Sequence, residues 1–409
     1  MKVVVLGLGV SGKAAASFLK KRGDEVLGVD RNVSSFDGMS VVSDECLPNF
    51  DGVGLCVKSP GIGREHPWIM EARRREIQVV GEIDLAFAEL AKRRKRVLAV
   101  TGSNGKTTTT LLAVHFLKEA GVRAVAAGNV GVPLLSQIDM DVNTFVVELS
   151  SFQLEDMIAG PHFDAALILN ITANHLDRYH SFEEYTHAKL RISTGLKPNG
   201  SLFVTDQVLK LCGRQMCGIV MKKVETISSL GYRDSCYRLF PHDLENASAA
   251  QALTGISLNV LKKGIVSFVH PPHRLEFVGE IAGVKYINDS KATSVDAVIK
   301  AVHALDGSLF VIAGGVDKGG AFSDWIPHFR GKVKLVFALG EAAGRIEQEL
   351  GREIKVQKIA FLKEGVQLAA SLASVGDTIL LSPGCSSYDQ FTDYQHRGNT
   401  FTQIVKEML

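Results

Sequence analysis

The residues best suited to chemistry are Thr101 to Thr110, which read Thr-Gly-Ser-Asn-Gly-Lys-Thr-Thr-Thr-Thr. Apolar runs lie on both sides, so the sequence predicts a glycine-rich loop between a strand and a helix. Gly102 and Gly105 let the backbone N–H groups of such a loop turn inward, and the helix N-terminus adds its positive dipole end. Lys106 can reach terminal phosphates, and the Thr107 hydroxyl can bind Mg²⁺. The pattern therefore predicts a nucleotide phosphate site that uses ATP.

One position in this loop departs from the general phosphate-loop pattern. Val100 stands where the eight-residue pattern has its first glycine, so the match begins at Gly102. A glycine turn that only caps the following helix, with the Lys106 side chain in solvent, is the alternative interpretation. The order of strand, loop and helix favours the phosphate site. The loop residues expected to contact ATP are Gly102, Ser103, Asn104, Gly105, Lys106, Thr107 and Thr108.

A carboxylate lies at the end of a second predicted strand. The run from Thr144 is apolar up to Glu148, which is its first charged residue. Parallel sheets present their ligand-binding residues at the carboxyl ends of the strands. Phosphoryl-transfer sites hold Mg²⁺ with such a carboxylate, so Glu148 is a candidate Mg²⁺ ligand.

The first ninety residues predict β-α-β units with a different glycine loop. A strand over Lys2 to Leu6 runs into a G-x-G-x-x-G pattern over residues 7–12, and Asp30 follows about 20 residues later. Taken alone, this fingerprint predicts a bound dinucleotide. The turn Ser59-Pro60-Gly61 follows another apolar strand and either supplies further backbone donors or is only a turn.

The last third of the chain places polar loops after three predicted strands. These loops are Asn288 to Lys291, Ala313 to Lys318, and Ser382 to Ser387. Because parallel strands align their carboxyl ends, the loops are expected to form one composite face.

The length of 409 residues exceeds that of one ordinary core, and the order of predicted elements gives an α/β protein of three domains. The basic cluster Lys92 to Arg96 and the Pro271-Pro272 pair mark the boundaries. We expect a Rossmann-like N-terminal domain (1–93), a central P-loop ATPase-type domain with a mostly parallel sheet (94–271) and a Rossmann-like C-terminal domain (272–409). The segment 205–237 has weak periodicity and is expected to contain short strands and loops.

Composition excludes several classes of function. A net charge of +2 offers no global excess for a nucleic-acid backbone. Six cysteines with no C-x-x-C pair suit a reducing cytoplasm, without zinc or disulfides. No apolar run approaches about 18 residues, so no transmembrane span is expected. We expect a cytoplasmic monomer that acts on small molecules.

Several motifs together resemble the Mur ligases, and among them the branch that adds D-glutamate. The resemblance covers nearly the whole chain. It rests on residues 101–107, 147–154 (Val-Glu-Leu-Ser-Ser-Phe-Gln-Leu), 170, 175–178, 188–191, 273–274, 288–293 (Asn-Asp-Ser-Lys-Ala-Thr), 381–391 and 397–399 (Arg-Gly-Asn). It implies ATP-driven amide synthesis in peptidoglycan precursor assembly. The carboxylate of UDP-N-acetylmuramoyl-L-alanine would form an acyl phosphate, and the amine of D-glutamate would displace the phosphate.

The resemblance also implies the catalytic centre and its metals. Thr107 and Glu148 would bind one Mg²⁺, and a second would lie near Glu148 and His175, held by a carbamate on Lys189. Spacing alone would make Lys189 a surface residue of a helix and His175 a loop histidine, and the resemblance favours the metal roles. The implied catalytic residues are Lys106, Glu148, His175, Lys189 and Lys291.

The remaining implied contacts concern the three substrates. Further ATP contacts are Asn246, Arg274 and Asp289. The UDP substrate would contact Val10, Ser11, Asp30, Arg31, Ser59, Pro60, Gly61 and Asn129. D-Glutamate would contact Thr293, Lys318, Ser387 and Tyr394.

Three alternatives stay open at this point. An NAD-dependent oxidoreductase would account for Gly7 to Asp30 but gives the phosphate loop and Glu148 no role. A nucleotide-dependent switch or motor would account for the phosphate loop but not for the polar strand ends of the third domain. Another Mur-type ligase would use the same centre with a different amino acid.

Overall fold

Three mostly parallel sheets, each with its own helices, follow one another along the chain in this computed structural model. The structure describes residues 1–175, 178–212, 221–225 and 241–408. The expected α/β class is therefore confirmed. Most strands anticipated from apolar runs lie within one or two residues of their predicted positions.

The first sheet has five parallel strands in the order β3-β2-β1-β4-β5. Its central strand is buried from Val3 to Leu6, as expected for a continuous apolar run covered on both faces. The elements are β1 (Lys2–Leu6), α1 (Val10–Lys21), β2 (Glu25–Val29), β3 (Ser40–Val42), β4 (Val53–Lys58), α2 (Pro67–Arg74), β5 (Gln78–Gly81) and α3 (Glu82–Lys92).

The second sheet, within the described residues, has the order β11-β10-β9-β6-β8-β7 with every pairing parallel. Strand β6 lies between β9 and β8, so the loop after β6 is at the middle of the carboxyl edge. The strands are β6 (Arg96–Thr101), β7 (Ala124–Gly128), β8 (Thr144–Glu148), β9 (Phe163–Ile168), β10 (Leu196–Val204) and β11 (Met221–Lys223). The helices are α4 (Lys106–Glu119), α5 (Ser151–Asp156), α6 (Phe182–Leu190), α7 (Asp206–Cys212), α8 (Pro241–Thr254) and α9 (Leu258–Ser267).

The third sheet has the order β12-β13-β17-β14-β15-β16, in which only the edge pair β12–β13 is antiparallel. Strands β13, β17 and β14 are neighbours, so the three polar loops that follow them share one edge, as predicted. The strands are β12 (Glu276–Ile281), β13 (Val284–Asn288), β14 (Leu309–Gly314), β15 (Val333–Leu339), β16 (Val356–Lys358) and β17 (Thr378–Leu381). The helices are α10 (Val295–Ala304), α11 (Ile326–Phe329), α12 (Ala343–Leu350), α13 (Leu362–Leu372) and α14 (Tyr394–Lys406).

The chain divides into two compact units. The first contains the described residues within 1–171, 186–238 and 243–268, and so holds the first two sheets. The second contains those within 172–185, 239–242 and 269–409. The domain limits 93/94 and 271/272 stay predictions, although each sheet falls inside one predicted domain.

Two regions differ from expectation or fall outside the described chain. Strand β10 includes Pro198, Asn199 and Gly200, which interrupt the apolar pattern, and its pairing with β9 shifts register there. In the segment 205–237, the structure describes α7, β11 and their neighbours, whereas 213–220 and 226–237 lie outside the described residues. None of the described helices is both long and apolar enough to span a bilayer.

Candidate active site

The glycine-rich loop after β6 is held in shape by a residue from the neighbouring strand end. Asn170 accepts the Ser103 N–H at its backbone oxygen (2.8 Å) and the Asn104 N–H at Oδ1 (2.8 Å), and its Nδ2 donates to the Asn104 carbonyl at 3.1 Å. Gly105 has φ 79°, a left-handed conformation that favours glycine. A Cβ there would lie 2.5 Å from Oδ1 of Asn246, so the predicted ATP contact Asn246 packs directly against the loop.

Two lysines meet at one carbonyl of this loop. Lys106 Nζ donates to the Gly102 carbonyl at 2.8 Å and to the Ser103 carbonyl at 3.0 Å. Lys189 Nζ, which comes from α6, donates to the same Gly102 carbonyl at 2.8 Å. Two lysine side chains therefore meet at one oxygen of the loop, where a phosphate group would find hydrogen-bond donors. The alternative interpretation, a turn that only caps the helix, placed the Lys106 side chain in solvent, whereas its Nζ donates to two loop carbonyls.

Lys189 is not the surface residue that its spacing alone suggested. Its side chain is 1% exposed. Burial lowers the pKa of its ammonium well below the usual value, and the charge of Lys106 lowers it further, while Glu148 acts in the opposite direction. Burial therefore shifts this residue toward its neutral amine form, relative to an exposed lysine.

Glu148 is buried at the carboxyl end of β8, beside the two lysines. Its Oε1 accepts a hydrogen bond from Nδ2 of Asn129 at 2.8 Å. Its Oε2 has no hydrogen-bond partner within the described part of the chain. A buried carboxylate oxygen without a donor suits a cation ligand, because leaving it unpaired is costly. Thr107 lies in the first turn of α4, after Gly105.

His175 lies in the second compact unit, whereas Glu148 and Lys189 lie in the first. Its backbone is left-handed (φ 58°), and its N–H donates to Oδ1 of Asn174 at 3.0 Å. The next two residues of the quoted motif, Leu176 and Asp177, lie outside the described residues. Among the described residues, no group of three or more His, Cys, Asp or Glu could hold a metal ion. The predicted set of Thr107, Glu148, His175 and Lys189 stays a prediction.

The N-terminal glycine loop receives a carboxylate from the end of the second strand. Asp30 Oδ2 accepts the Leu8 N–H at 2.6 Å, and its Oδ1 accepts the N–H groups of Asn32 (2.8 Å) and Val33 (3.0 Å). Burial tends to raise the pKa of Asp30, but these three donors and Lys13 outweigh it and lower the pKa.

The other predicted contacts of the UDP substrate surround this loop. Ser59 Oγ donates to the Gly7 carbonyl at 2.7 Å, which ties the Ser59-Pro60-Gly61 turn to the loop. Val10 is 68% exposed at the start of α1, and Ser11 follows it. Arg31 lies outward, with Nε 3.3 Å from an Asp44 carboxylate oxygen.

The predicted D-glutamate residues lie on the composite edge of the third sheet. Lys318 Nζ donates to Oγ1 of Thr293 at 3.3 Å. The Val316 and Ser386 backbones pair at 2.9 and 3.0 Å, which brings the Lys318 loop beside Ser387. Lys291 Nζ lies 3.6 Å from the centre of the Tyr394 ring. A cation over an aromatic face is attractive, so the Tyr394 ring helps to orient Lys291.

Asp289 is buried beside this edge. Its Oδ1 accepts the Leu275 N–H at 3.2 Å, and its Oδ2 accepts a hydrogen bond from the Ser382 hydroxyl at 3.0 Å. Burial raises the pKa of the carboxyl to about 7, against the effects of these hydrogen bonds and the charge of Arg274. Arg274 and Asp289, both predicted to contact ATP, are thus close enough to interact.

Sequence reasoning gave no site role to Arg397, although it quoted the Arg-Gly-Asn run. Its guanidinium is 1% exposed and donates to Ser290 Oγ (3.0 Å), the Ser290 carbonyl (2.9 Å) and the Cys385 carbonyl (3.2 Å). Ser290 Oγ in turn donates to the Tyr394 carbonyl at 2.8 Å. One buried cation therefore joins the two loops that carry Thr293 and Ser387. A charged residue in a C-terminal helix gives no sequence signal of burial.

Two family models match the chain. One is described as the Mur ligase middle domain and matches residues 100–231, and the other as the Mur ligase glutamate ligase domain and matches residues 273–385. A protein of Chlamydia abortus is 41% identical over 100% of this chain and 98% of its own. A protein of Protochlamydia amoebophila is 39% identical over 99% of this chain and 98% of its own. Both are named UDP-N-acetylmuramoylalanine–D-glutamate ligase.

Solved structures agree at the level of the fold. A MurF ligase from Thermotoga maritima in complex with ADP has a TM-score of 0.63 at 17% identity, covering 94% of this chain and 96% of its own. A UDP-N-acetylmuramate–alanine ligase from the same organism has a TM-score of 0.61 at 18% identity, with 100% of both chains covered.

Proposed function

The chain belongs to the Mur ligase family, and we propose that it joins D-glutamate to UDP-N-acetylmuramoyl-L-alanine with cleavage of ATP. The observation that carries the proposal is the convergence of Lys106 and Lys189 on one carbonyl of the glycine-rich loop, with Glu148 close enough to Lys189 to affect its pKa. The names of the full-length relatives supply the choice of amino acid. The product is a peptidoglycan precursor, and we place its synthesis in the cytoplasm.

The reaction has two bond-forming steps. An oxygen of the substrate carboxylate attacks the γ-phosphorus of ATP, and the bond from that phosphorus to the oxygen of ADP breaks. The amine of D-glutamate then attacks the acyl carbon, phosphate leaves with the carbon–oxygen electron pair, and the amine loses a proton. A loose phosphoryl transition state needs positive charge and alignment more than covalent help.

Lys106 and the loop N–H groups suit the first step. The ammonium of Lys106 is held by two loop carbonyls, so it is oriented before substrate arrives. Preorganised charge of this kind stabilises charge that develops in the transition state. Lys291, oriented over the Tyr394 ring, would supply further positive charge near the reacting phosphate.

We propose two Mg²⁺ ions, for which Glu148 and Thr107 supply donors at the carboxyl edge of the second sheet. Glu148 Oε2 and the Thr107 hydroxyl would hold the first, and a carbamate on Lys189 with His175 would hold the second. When bound, Mg²⁺ neutralises charge on the phosphate oxygens. The neutral form of an amine reacts with CO₂, and a lowered pKa favours that form. The lowered pKa of Lys189 therefore supports the carbamate.

The substrates are assigned to the remaining surfaces on the same basis. The UDP group would contact the N-terminal loop around Ser11 and Asp30, and Asn129 would face the acyl end. D-Glutamate is a dianion, and Lys318 beside Thr293 and Ser387 offers a cation with two hydroxyls. We propose that the protein acts as a monomer.

The experiment that tests the proposal is phosphate release in the presence of UDP-N-acetylmuramoyl-L-alanine, ATP and a panel of amino acids. D-Glutamate should support turnover, whereas L-glutamate, L-lysine and meso-diaminopimelate should not. Preferential use of one of the others would keep the ligase chemistry and overturn the choice of D-glutamate. Turnover without any amino acid would indicate an ATPase instead.

A further inference from the structure

Lys58 makes a buried ion pair immediately before the Ser59-Pro60-Gly61 turn. Its side chain is 2% exposed, and its Nζ lies 2.5 Å from Oδ2 of Asp156, the last residue of α5. The same Nζ donates to the Ile62 carbonyl at 2.7 Å, across the turn. One ammonium therefore closes the turn and ties it to a helix of the second sheet.

A second cation of the same segment strengthens this connection. Arg64 Nε lies 3.2 Å from Oδ1 of Asp156, and its Nη2 donates to the Glu155 carbonyl at 2.6 Å. Both carboxylate oxygens of Asp156 thus face a cation from the segment 58–64. The carboxyl end of a helix favours nearby positive charge, which adds to the attraction.

Helix α5 is in turn coupled to the catalytic residues. It starts three residues after Glu148, and a capping box between Ser150 and Gln153 fixes its first turn. Arg191, two residues after Lys189, donates to the Leu154 and Met157 carbonyls at 2.9 and 2.7 Å. The helix that receives Lys58 is therefore held from the Glu148 side and from the Lys189 side.

We propose that Lys58 is a positioning residue, which through Asp156 holds the Ser59-Pro60-Gly61 turn in register with the strand that carries Glu148. The proposal rests on the proposed function, because it takes this turn as a contact of the UDP substrate. The pair fixes the distance between the nucleotide end of that substrate and the phosphate loop, where its carboxylate reacts. A small misplacement of such an anchor costs binding and rate.

The nature of the pair allows positioning to be separated from stability. Removing one partner leaves a buried charge uncompensated and destabilises the fold, whereas replacing both partners by apolar residues of similar volume is often neutral for stability. We would compare Lys58→Met, Asp156→Leu and the double variant. Thermal unfolding gives Tm, and calorimetric titration with UDP-N-acetylmuramoyl-L-alanine gives Kd without requiring turnover.

Each single variant should have a lower Tm and a Kd for this substrate about tenfold higher. The double variant should regain most of the wild-type Tm but keep the weakened Kd, because the apolar pair no longer closes the turn onto Ile62. The Kd for a non-hydrolysable ATP analogue should stay within about twofold in all three. If the single variants fail to fold, the double variant alone decides.

Two results would overturn the proposal. One is recovery of the wild-type Kd together with Tm in the double variant, which would make the pair purely structural. The other is a folded Lys58→Met protein with the wild-type Kd. As a matched control, Lys197→Met removes a lysine that lies 2.8 Å from Asp164 in the same unit, and should leave both Kd values unchanged. Failure of the proposed function would appear separately, as a wild-type protein that releases no phosphate with D-glutamate.

Discussion

The two glycine-rich loops of the first compact unit have the same strand–loop–helix plan but receive hydrogen bonds from, or donate them to, different side chains. The loop after β1 receives a carboxylate, since Asp30 accepts the N–H groups of Leu8, Asn32 and Val33. The loop after β6 receives hydrogen bonds from Lys106 and Lys189 at the Gly102 carbonyl. Glycine spacing therefore specifies the shape of the backbone, and the side chains brought to it from other elements decide which ligand can bind.

This contrast bears on the dinucleotide interpretation of the N-terminal fingerprint. The Asp30 carboxylate beside the first loop suits the hydroxyl or amide donors of a ligand. The second loop favours phosphate by charge. This difference agrees with the proposal that the first loop contacts the UDP substrate and the second contacts the reacting phosphates of ATP.

The largest loss of turnover is expected from a substitution of Lys189, which contacts the second loop. We expect Lys189→Ala to reduce turnover by at least about 10³-fold, because it removes the buried amine that would carry the proposed carbamate. Formate or acetate should restore part of the activity by supplying oxygen ligands in the vacated space. Steady-state phosphate release measures both. Arg191→Ala should show no such rescue, and full activity of Lys189→Ala would contradict the carbamate.

The next effect concerns Lys106, the other lysine on the same carbonyl. Lys106→Ala should lower kcat by at least about 10²-fold, because an oriented charge on the transferring phosphoryl group is lost. Binding of the UDP substrate to the first loop should hardly change, and calorimetric titration can verify this. Near-normal turnover of the folded variant would contradict the assignment of the reacting phosphates to the second loop.

A smaller effect should appear at the amino-acid end. Charge-assisted hydrogen bonds contribute about 1.5 to 3 kcal/mol, so Lys318→Ala should raise the KM for D-glutamate by about 10- to 100-fold. The KM for ATP should stay nearly constant in the same preparation. Equal increases for both substrates would place Lys318 at the nucleotide instead.

The smallest effect should come from the carboxylate of the first loop. Asp30→Asn should raise the KM for the UDP substrate by about three- to tenfold, without changing the KM for ATP. The pKa of Asp30 is lowered in the folded protein, so its contribution to stability is present above its ordinary pKa and lost as pH falls through the lowered value. Urea unfolding between pH 2 and pH 6 should therefore show a weaker acid-induced loss of stability in the variant. An unchanged pH profile would mean that the hydrogen bonds of Asp30 add nothing to the loop.

The sequence allowed the positions of most buried strands to be predicted, because a continuous apolar run such as Val3 to Leu6 has few other uses. Short edge strands were missed. Strands β3 and β16 have three residues each and are partly exposed, so they carry little hydrophobic signal.

The site was predictable where local spacing carries the chemistry, as in Gly102 to Thr107, and less so where the fold decides. The helical pattern around Lys189 gave no reason to expect burial, and only the resemblance to a family pointed to it. Three further residues act through contacts with parts of the chain that are distant in sequence, and their roles depend on which strands become neighbours. They are Asn170, which contacts Asn104, Arg397, which contacts Ser290, and Lys58, which contacts Asp156. Such contacts cannot be derived from local periodicity.

The position of Cys385 determines how readily its thiol reacts with oxidants and electrophiles. This thiol lies two residues before Ser387, is completely buried under the Arg397 guanidinium, and burial raises its pKa to about 12. The thiolate is the species that reacts with oxidants and electrophiles. Burial and the raised pKa therefore shield this cysteine from peroxide and from alkylating compounds, although it lies beside a proposed contact of D-glutamate.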